Sequence, residues 1–168
     1  IVLRGSLQLG DLNLVPGDYH ASPAGSRHGR ISSRSGGLAY LRGSSLGHTR
    51  AALGELIGGL LPGAGPAAHT VLAAGGGWEP IADGVEQKIL WRAGDVVSRF
   101  YRLAAGSRLP AHAHDCDEEW MMFSGDAYLG DLLLQAGEFH VAPAGSAHGE
   151  ISSEHGALAF VRGHAIVP

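Results

Sequence analysis

The sequence predicts an all-β fold, either a sandwich or a small barrel. Apolar residues alternate or cluster over short stretches and are then interrupted by Gly, Pro, Asp or Ser, which is typical of short strands joined by tight turns. Hydrophobic residues make up 45% of the 168 residues and charged residues 17%, so the chain can bury a sizeable core. Regular spacing of strands and turns favours a sandwich or barrel over a mixed fold.

A duplicated unit is the clearest feature of the chain. Residues 2–43 align without a gap on residues 122–163, at a constant offset of 120, and 22 of the 42 aligned positions are identical. Both copies carry a Pro-Ala-Gly turn followed by a histidine, His28 or His148. We therefore expect residues 1–43 to be the C-terminal half of a first repeat and residues 78–168 to be a complete second one.

The second copy shows its strands in order. Residues 89–114 alternate between apolar and polar side chains, and Arg99 and Arg102 have opposite parity there, so at most one of them faces inward. Residues 128–148 predict two strands separated by a Gln-Ala-Gly turn. Residues 156–163 predict a further strand.

Residues 44–77 predict the one departure from β structure. In "HTRAALGELIGGLL", residues 48–61, Thr49 can cap a short helix whose apolar face is made of leucine and isoleucine side chains. The Ala, Gly and Pro content from Pro62 to Gly77 then indicates a linker.

Charge and composition exclude several classes of partner. The formal net charge of −4 and the lack of a basic stripe argue against nucleic acid. No apolar run reaches the roughly 18 residues that a membrane helix needs, so no membrane partner is expected. The single cysteine, Cys116, excludes an intrachain disulfide, and we expect a reducing compartment, the cytoplasm.

The stretch "LPAHAHDCDEEW", residues 109–120, predicts a metal site. His112 and His114 are two residues apart, so on a strand their imidazoles point to the same face. Glu118 has the same parity if the strand resumes after residues 115–117, and His148, held by the "PAGS" turn, is the expected fourth ligand. Neighbouring acids disfavour a thiolate at Cys116, so that residue is expected to be an inert loop thiol.

These motifs resemble those of the cupin superfamily. Residues 106–125 fit the pattern G-x5-H-x-H-x3-E-x6-G, and residues 137–148 fit most of G-x5-P-x-G-x2-H, with Ser152 where cupins place an asparagine. The resemblance implies a double-stranded β-helix, a jelly-roll barrel of the RmlC-like type, that binds a divalent metal. It assigns the ligand roles to His112, His114, Glu118 and His148, with Glu119 as a competing or second-sphere carboxylate.

A narrower resemblance is carried by "WEPIADGV", residues 78–85. These residues resemble the cupin domain of ChrR-type anti-sigma factors and the related acetylacetone-cleaving dioxygenases. The resemblance implies a sensor that regulates transcription through a sigma factor; the alternatives are a non-haem iron(II) dioxygenase and a small-molecule-binding barrel without turnover. Zinc is the first expectation for the metal and iron(II) the next, with nickel or manganese as alternatives.

The first copy raises a separate expectation. The offset of 120 would place the counterparts of the first-motif ligands upstream of Ile1, so we expect a natural chain that extends further and forms a bicupin. His28 is then either part of a second metal site or a vestige of the repeat. His20 and His140 recur at equivalent positions and could support the ligands from a second sphere. A homodimer is expected because cupins pair through edge strands, and no catalytic residue is assigned.

Overall fold

The computed structural model describes residues 1–23, 26, 30–43 and 67–164. Regular structure within these ranges consists of β-strands, as predicted. The chain divides into two compact units, Ile1–Gly75 and Gly76–Pro168. None of the described residues forms a helix long and apolar enough to cross a membrane. The predicted helix at residues 48–61 and His28 both lie outside the described residues.

The first unit is built from short paired strands. The strands are β1 (Val2–Gly5), β2 (Leu7–Leu9), β3 (Leu12–Leu14), β4 (Tyr19–Ala21), β5 (Ile31–Ser32), β6 (Gly37–Ala39) and β7 (His69–Val71). β1 pairs with β6, β2 pairs with both β3 and β5, and β4 pairs with β7, all antiparallel. Val2, Leu9 and Leu14 form a small buried core.

The predicted linker from Pro62 to Gly77 was wrong in one part. Strand β7 lies inside it and pairs with β4, so that Tyr19 is opposite Val71 and Ala21 is opposite His69. A short stretch containing the β-branched residues threonine and valine can join a sheet edge despite the Ala- and Gly-rich sequence on either side. The Ala-, Gly- and Pro-rich composition therefore does not identify a linker at residues 69–71, which form strand β7.

The second unit contains the longer strands. They are β8 (Glu79–Ala82), β9 (Val85–Ala93), β10 (Val96–Leu103), β11 (Arg108–Leu109), β12 (His112–Ala113), β13 (Glu118–Leu129), β14 (Leu132–Gln135), β15 (Phe139–Ala142), β16 (Ala147–His148), β17 (Ile151–Ser152) and β18 (Ala157–His164).

A nine-stranded antiparallel sheet curls into a nearly closed barrel. Its strand order is β11-β17-β13-β18-β10-β9-β8, with β14 and β15 also paired to β13, while β12 and β16 form a separate pair. Inward-facing side chains from β10, β13 and β18, among them Tyr101, Trp120 and Val161, form the main core.

At Gly125, strand β13 changes the strands with which it pairs. The φ of Gly125 is +74°, and a Cβ atom at this position would lie 1.8 Å from the carbonyl oxygen of Gly156. A side chain there is therefore excluded by both backbone conformation and space. The irregularity between Met122 and Ser124 lies just before it, and β13 pairs with β15 before this bend and with β14 and β17 after it.

Two local predictions can be checked directly. The Gln-Ala-Gly turn is confirmed between β14 and β15, but the segment before it contains a further tight turn, at Gly130, that the sequence prediction missed. The parity of the two arginines on β10 is also confirmed. Arg99 is buried, whereas Arg102 is exposed, donates to Glu86 and lies 4.3 Å from the ring centroid of Trp78.

Candidate metal centre

The two sequence motifs meet in the pair β12–β16. His112 lies directly opposite His148, and Ala113 opposite Ala147. The backbone N–H of His114 donates to the carbonyl oxygen of Ser146 at 2.9 Å, and the N–H of Gly145 donates to the carbonyl of His114 at 2.7 Å. These hydrogen bonds attach the "PAGS" turn to the first motif, so the second-motif histidine is held beside the first two.

Glu118 enters from a different strand. β13 begins at this residue, after an excursion over residues 115–117, as predicted. Within the excursion, Asp117 Oδ1 accepts a hydrogen bond from the N–H of Ala144 at 2.9 Å. The loop is therefore tied to the same turn that positions His148, although β12 itself ends at Ala113 and His114 lies just beyond it.

The four side chains His112, His114, Glu118 and His148, hereafter the His/Glu cluster, converge. Their ligand atoms all lie within 4.8 Å of one another. Glu118 Oε2 is 3.8 Å from His112 Nε2, and Glu118 Oε1 is 4.0 Å from His114 Nδ1 and 3.6 Å from His148 Nε2. The three imidazole centroids are 4.5 to 4.9 Å apart. A carboxylate oxygen and three ring nitrogens thus surround one small volume.

One ring nitrogen of each histidine in this cluster lacks a protein partner among the described residues. The Nε2 atoms of His112, His114 and His148 are all buried and make no hydrogen bond within the part of the chain described. Buried polar atoms are normally satisfied, and each one left without a partner costs stability. Three imidazoles that converge on a carboxylate match the donor set of a divalent transition metal. The residues therefore fit the metal that their sequence pattern predicts.

Electrostatics keep the carboxylate ionised. Burial by itself would raise the pKa of Glu118, but the imidazoles of His112 and His148 and the indole of Trp120 together lower that pKa well below its usual range. The adjacent carboxylate raises the pKa of His112, whereas burial lowers the pKa of His114. Glu118 is thus held in the anionic form that a metal requires.

Trp120 orients the carboxylate, a role that sequence reasoning missed. Its Nε1–H donates to Glu118 Oε1 at 2.7 Å, and its ring lies 5.7 Å, centroid to centroid, from Tyr101 in the core. Trp120 follows Glu118 by two residues on one strand, so both side chains share a face. That spacing was the available signal, but it is also typical of ordinary barrel packing.

The other predicted site residues lie elsewhere. Glu119 is on the opposite face of β13 from Glu118, and its Oε1 is 3.7 Å from Arg162 Nη1. His140 is opposite Trp120 on β15. It is not a member of the His/Glu cluster. Burial, and to a lesser extent His148, lowers the pKa of His140. In the first unit, His20 is within hydrogen-bonding distance of Thr70 and Ser22 side chains.

A cavity of about 590 Å³ lies beside the cluster. It is lined by three of the four cluster residues and by Arg92, Gly94, Asp95, Ala113, Asp115, Cys116 and His164. The cavity is large enough for a small organic molecule. The site can therefore present a metal to a ligand.

Comparison with known proteins decides the family. The family model described as the ChrR cupin-like domain matches residues 67–167. The chain belongs to this family. No curated protein matches the sequence. The match begins two residues before strand β7, covers the second unit up to residue 167 and includes the His/Glu cluster.

One solved structure shows the same fold, and two others are similar in part. An RmlC-like cupin from Shewanella frigidimarina is 16% identical over 56% of this chain and 87% of its own, with a TM-score of 0.50. The complex of Rhodobacter sphaeroides SigE with the anti-sigma ChrR (22% identity, TM-score 0.46) is matched over 51% of this chain and 47% of its own chain. An acetylacetone dioxygenase from Acinetobacter johnsonii (14% identity, TM-score 0.48) is matched over 52% and 67%. This chain therefore spans about half the length of the chain matched in the ChrR complex.

Proposed function

We propose that the second unit is a metal-binding sensor domain in which His112, His114, Glu118 and His148 hold a divalent ion. The observation that carries this proposal is the convergence of three imidazoles and an ionised carboxylate, with ligand atoms within 4.8 Å of one another and three buried Nε2 atoms that lack hydrogen-bond partners. When bound, such an ion would supply Lewis acidity toward a ligand atom in the adjacent cavity. The chain's own residues orient the ring nitrogens, keep Glu118 anionic and exclude most solvent.

Zinc is the metal proposed first, followed by iron(II), nickel and manganese, because three imidazoles and one carboxylate suit each of these ions. The test is elemental analysis of protein purified without added metal, followed by titration of the metal-free protein. We expect one ion per chain, and we expect His148→Ala and Glu118→Gln each to lose it. A metal-free chain that takes up no divalent ion would contradict the proposal.

Membership of the ChrR cupin-like family supports a regulatory role, in which the metal-bound barrel governs a sigma factor. Binding to candidate sigma factors of the source genome, measured with metal-loaded and metal-free protein, tests the role. Equal absence of binding in both forms would count against it.

The cavity beside the cluster favours a second candidate, a dioxygenase that cleaves small diketones. Oxygen uptake by iron-loaded protein with acetylacetone separates the two functions, because a sensor should consume no oxygen. Uptake that is lost in His148→Ala would favour the enzyme.

We further propose that the first unit is the C-terminal part of a first cupin copy, so that the protein is a bicupin. Its strand register repeats that of the second unit at the offset of 120: Leu9 pairs with Leu12 and Ile31, as Leu129 pairs with Leu132 and Ile151. Leu41 is 72% exposed, whereas its counterpart Val161 is fully buried. The first unit thus has the inner face of a barrel without the described strands that would cover it.

A further inference from the structure

The cavity beside the His/Glu cluster carries a charge pattern that bears on the ligand. Fixed charges on its lining come from Arg92 and from three acids, Asp95, Asp115 and Glu118. His164 also lines it, and its Nδ1 lies 3.8 Å from Asp115 Oδ2. The lining alone is therefore more negative than positive.

Arg92 belongs to the interior face that leads to Glu118. On adjacent antiparallel strands, residues directly opposite each other point to the same face. Arg92 on β9 is opposite Val97 on β10, and Val97 is opposite Gly163 on β18. Gly163 in turn packs against the Glu118 side chain. Val97 and Gly163, which have small side chains or none, therefore lie between Arg92 and the Glu118 carboxylate.

Arg99 adds a second positive charge, deep in the barrel. It is 1% exposed, its Nη2 donates to the backbone carbonyl of His164, and its guanidinium carbon lies 5.1 Å from the centroid of the Tyr101 ring. Its Nε has no hydrogen-bond partner. A buried guanidinium without a carboxylate partner is costly, so its charge requires compensation from another source.

Neither arginine has an acidic partner among the described residues. The arginines of the second unit that form ion pairs there are Arg102, Arg108 and Arg162, with Glu86, Glu150 and Glu119. The acids that line the cavity lie farther than 4.0 Å from both guanidinium groups. Arg92 and Arg99 therefore remain available to compensate a negative charge that the protein itself does not supply.

We propose that the cavity takes a small monoanion with an oxygen or nitrogen donor atom, such as a carboxylate or an enolate, and that Arg92 and Arg99 select for its charge. The inference rests on the proposed metal site. With a divalent ion at the cluster and neutral imidazoles, the buried charges are those of the ion, the Glu118 carboxylate and the Arg99 guanidinium, which sum to a positive excess. Arg92, Asp95 and Asp115 are exposed, so solvent screens their charges. A negative charge on the ligand reduces this excess at the buried end of the site, where the dielectric constant is low.

Paired titrations with an anionic and a neutral ligand test this proposal. Protein loaded with Co²⁺ is titrated with azide, a monoanion, and with imidazole, which is neutral, and binding is followed by the visible absorption of the metal. We expect Arg92→Gln to weaken azide binding by roughly two- to fivefold and to leave imidazole binding unchanged, because only the anion loses an attraction and Arg92 is exposed. Arg99→Lys, which keeps the charge, should retain azide binding better than Arg99→Met does.

Arg102→Gln is the matched control, because Arg102 lies on β10 three residues after Arg99 but is exposed and bound to Glu86. It should change neither titration. Equal losses for azide and imidazole in Arg92→Gln, or no loss for either, would overturn the inference while leaving the metal site intact. Failure of the unsubstituted chain to take up Co²⁺ would overturn the proposed metal function and this inference with it.

Discussion

Gly163 packs against Glu118 so closely that a Cβ atom at residue 163 would lie 3.1 Å from both Cγ and Oε2 of that glutamate. The contact is tighter than ordinary van der Waals packing, so any side chain here must displace the carboxylate by a few tenths of an ångström. The backbone of Gly163 does not have a positive φ, and alanine can adopt its conformation without strain. The lack of a side chain at this position therefore serves the His/Glu cluster and not a turn.

The first prediction is that Gly163→Ala weakens metal binding by roughly 10- to 100-fold, the range typical of changes beside metal ligands. A chelator competition titration with Zn²⁺ measures the affinity. Gly43, the counterpart in the first unit, has no atom within 4 Å of a built Cβ, so Gly43→Ala is the matched control and should leave the affinity unchanged. Equal affinities for both variants and the parent chain would contradict the positioning role of Gly163.

Trp120 supplies the second prediction. Trp120→Phe keeps an aromatic ring in the core but removes the Nε1–H that donates to Glu118 Oε1. The buried carboxylate then lacks a donor, so we expect the free energy of unfolding of the metal-free protein to fall by about 1–3 kcal/mol. Urea unfolding of metal-free protein measures this change.

The zinc affinity of Trp120→Phe should fall as well, because the carboxylate is no longer held toward the imidazoles. Trp91→Phe on β9 is a comparison of the same type at a half-buried tryptophan outside the cluster. If both variants lost zinc affinity equally, the effect would come from general loosening of the barrel.

Metal removal gives the third prediction. An ion that binds only the folded chain stabilises it by about 2.7 kcal/mol when its free concentration is 100 times the Kd. We therefore expect zinc to raise the Tm of the parent chain and a chelator to reverse the rise. His148→Ala should have a Tm that is insensitive to zinc, and a zinc-dependent rise of equal size in that variant would place the ion elsewhere.

Asp126 and His155 give the fourth prediction, on pH dependence. The Asp126 carboxylate raises the pKa of His155 above 6.5, and His155 lowers the pKa of Asp126 below 3.8. The histidine contribution is complete below pH 6.5 and is lost as the pH rises through its folded-state pKa. The aspartate contribution is complete above pH 3.8 and is lost as the pH falls through its folded-state pKa. The pair thus stabilises most between these two values.

Asp126→Asn isolates the charge in this pair. The amide oxygen can still accept from Ser153 Oγ and from the N–H groups of Glu154 and His155, as Asp126 Oδ1 does. The stability difference between this variant and the parent, measured by urea unfolding, should be largest near pH 5 and should shrink toward pH 8. A difference that stays constant across this range would show that the carboxylate acts only as a hydrogen-bond acceptor for the loop.

The fifth prediction contrasts equivalent residues of the two units. Ile151 is fully buried in the second unit, whereas Ile31 is 49% exposed. Ile151→Ala should lower the free energy of unfolding by about 2–5 kcal/mol, and Ile31→Ala should lower it far less, because little apolar surface is uncovered. Similar losses in urea unfolding would mean that the inner face of the first unit is covered in solution.

Much of the His/Glu cluster could be predicted from residue spacing. Parity along a strand put His112, His114 and Glu118 on one face, and the rigid turn before His148 suggested a fixed fourth side chain. Glu119 illustrates the limit: only the start of β13 at Glu118 decides that the next residue turns away toward Arg162. The sequence did not predict β7, because the formation of such a short strand depends on pairing with β4 more than on its own residues.

By itself, the sequence determined the β class, the internal sequence repeat and the identity of the residues in the His/Glu cluster, because strand periodicity and motif spacing are local properties of the chain. Only the tertiary structure decided that Trp120 and Gly163 both contact the Glu118 side chain. It also decided which arginine of β10 is buried, Arg99 and not Arg102. The position of Arg92 on the lining of the cavity beside the His/Glu cluster is a third result of the tertiary structure. Those relationships depend on the register between strands far apart in sequence. Register is set by how the whole barrel packs, and no single segment encodes it.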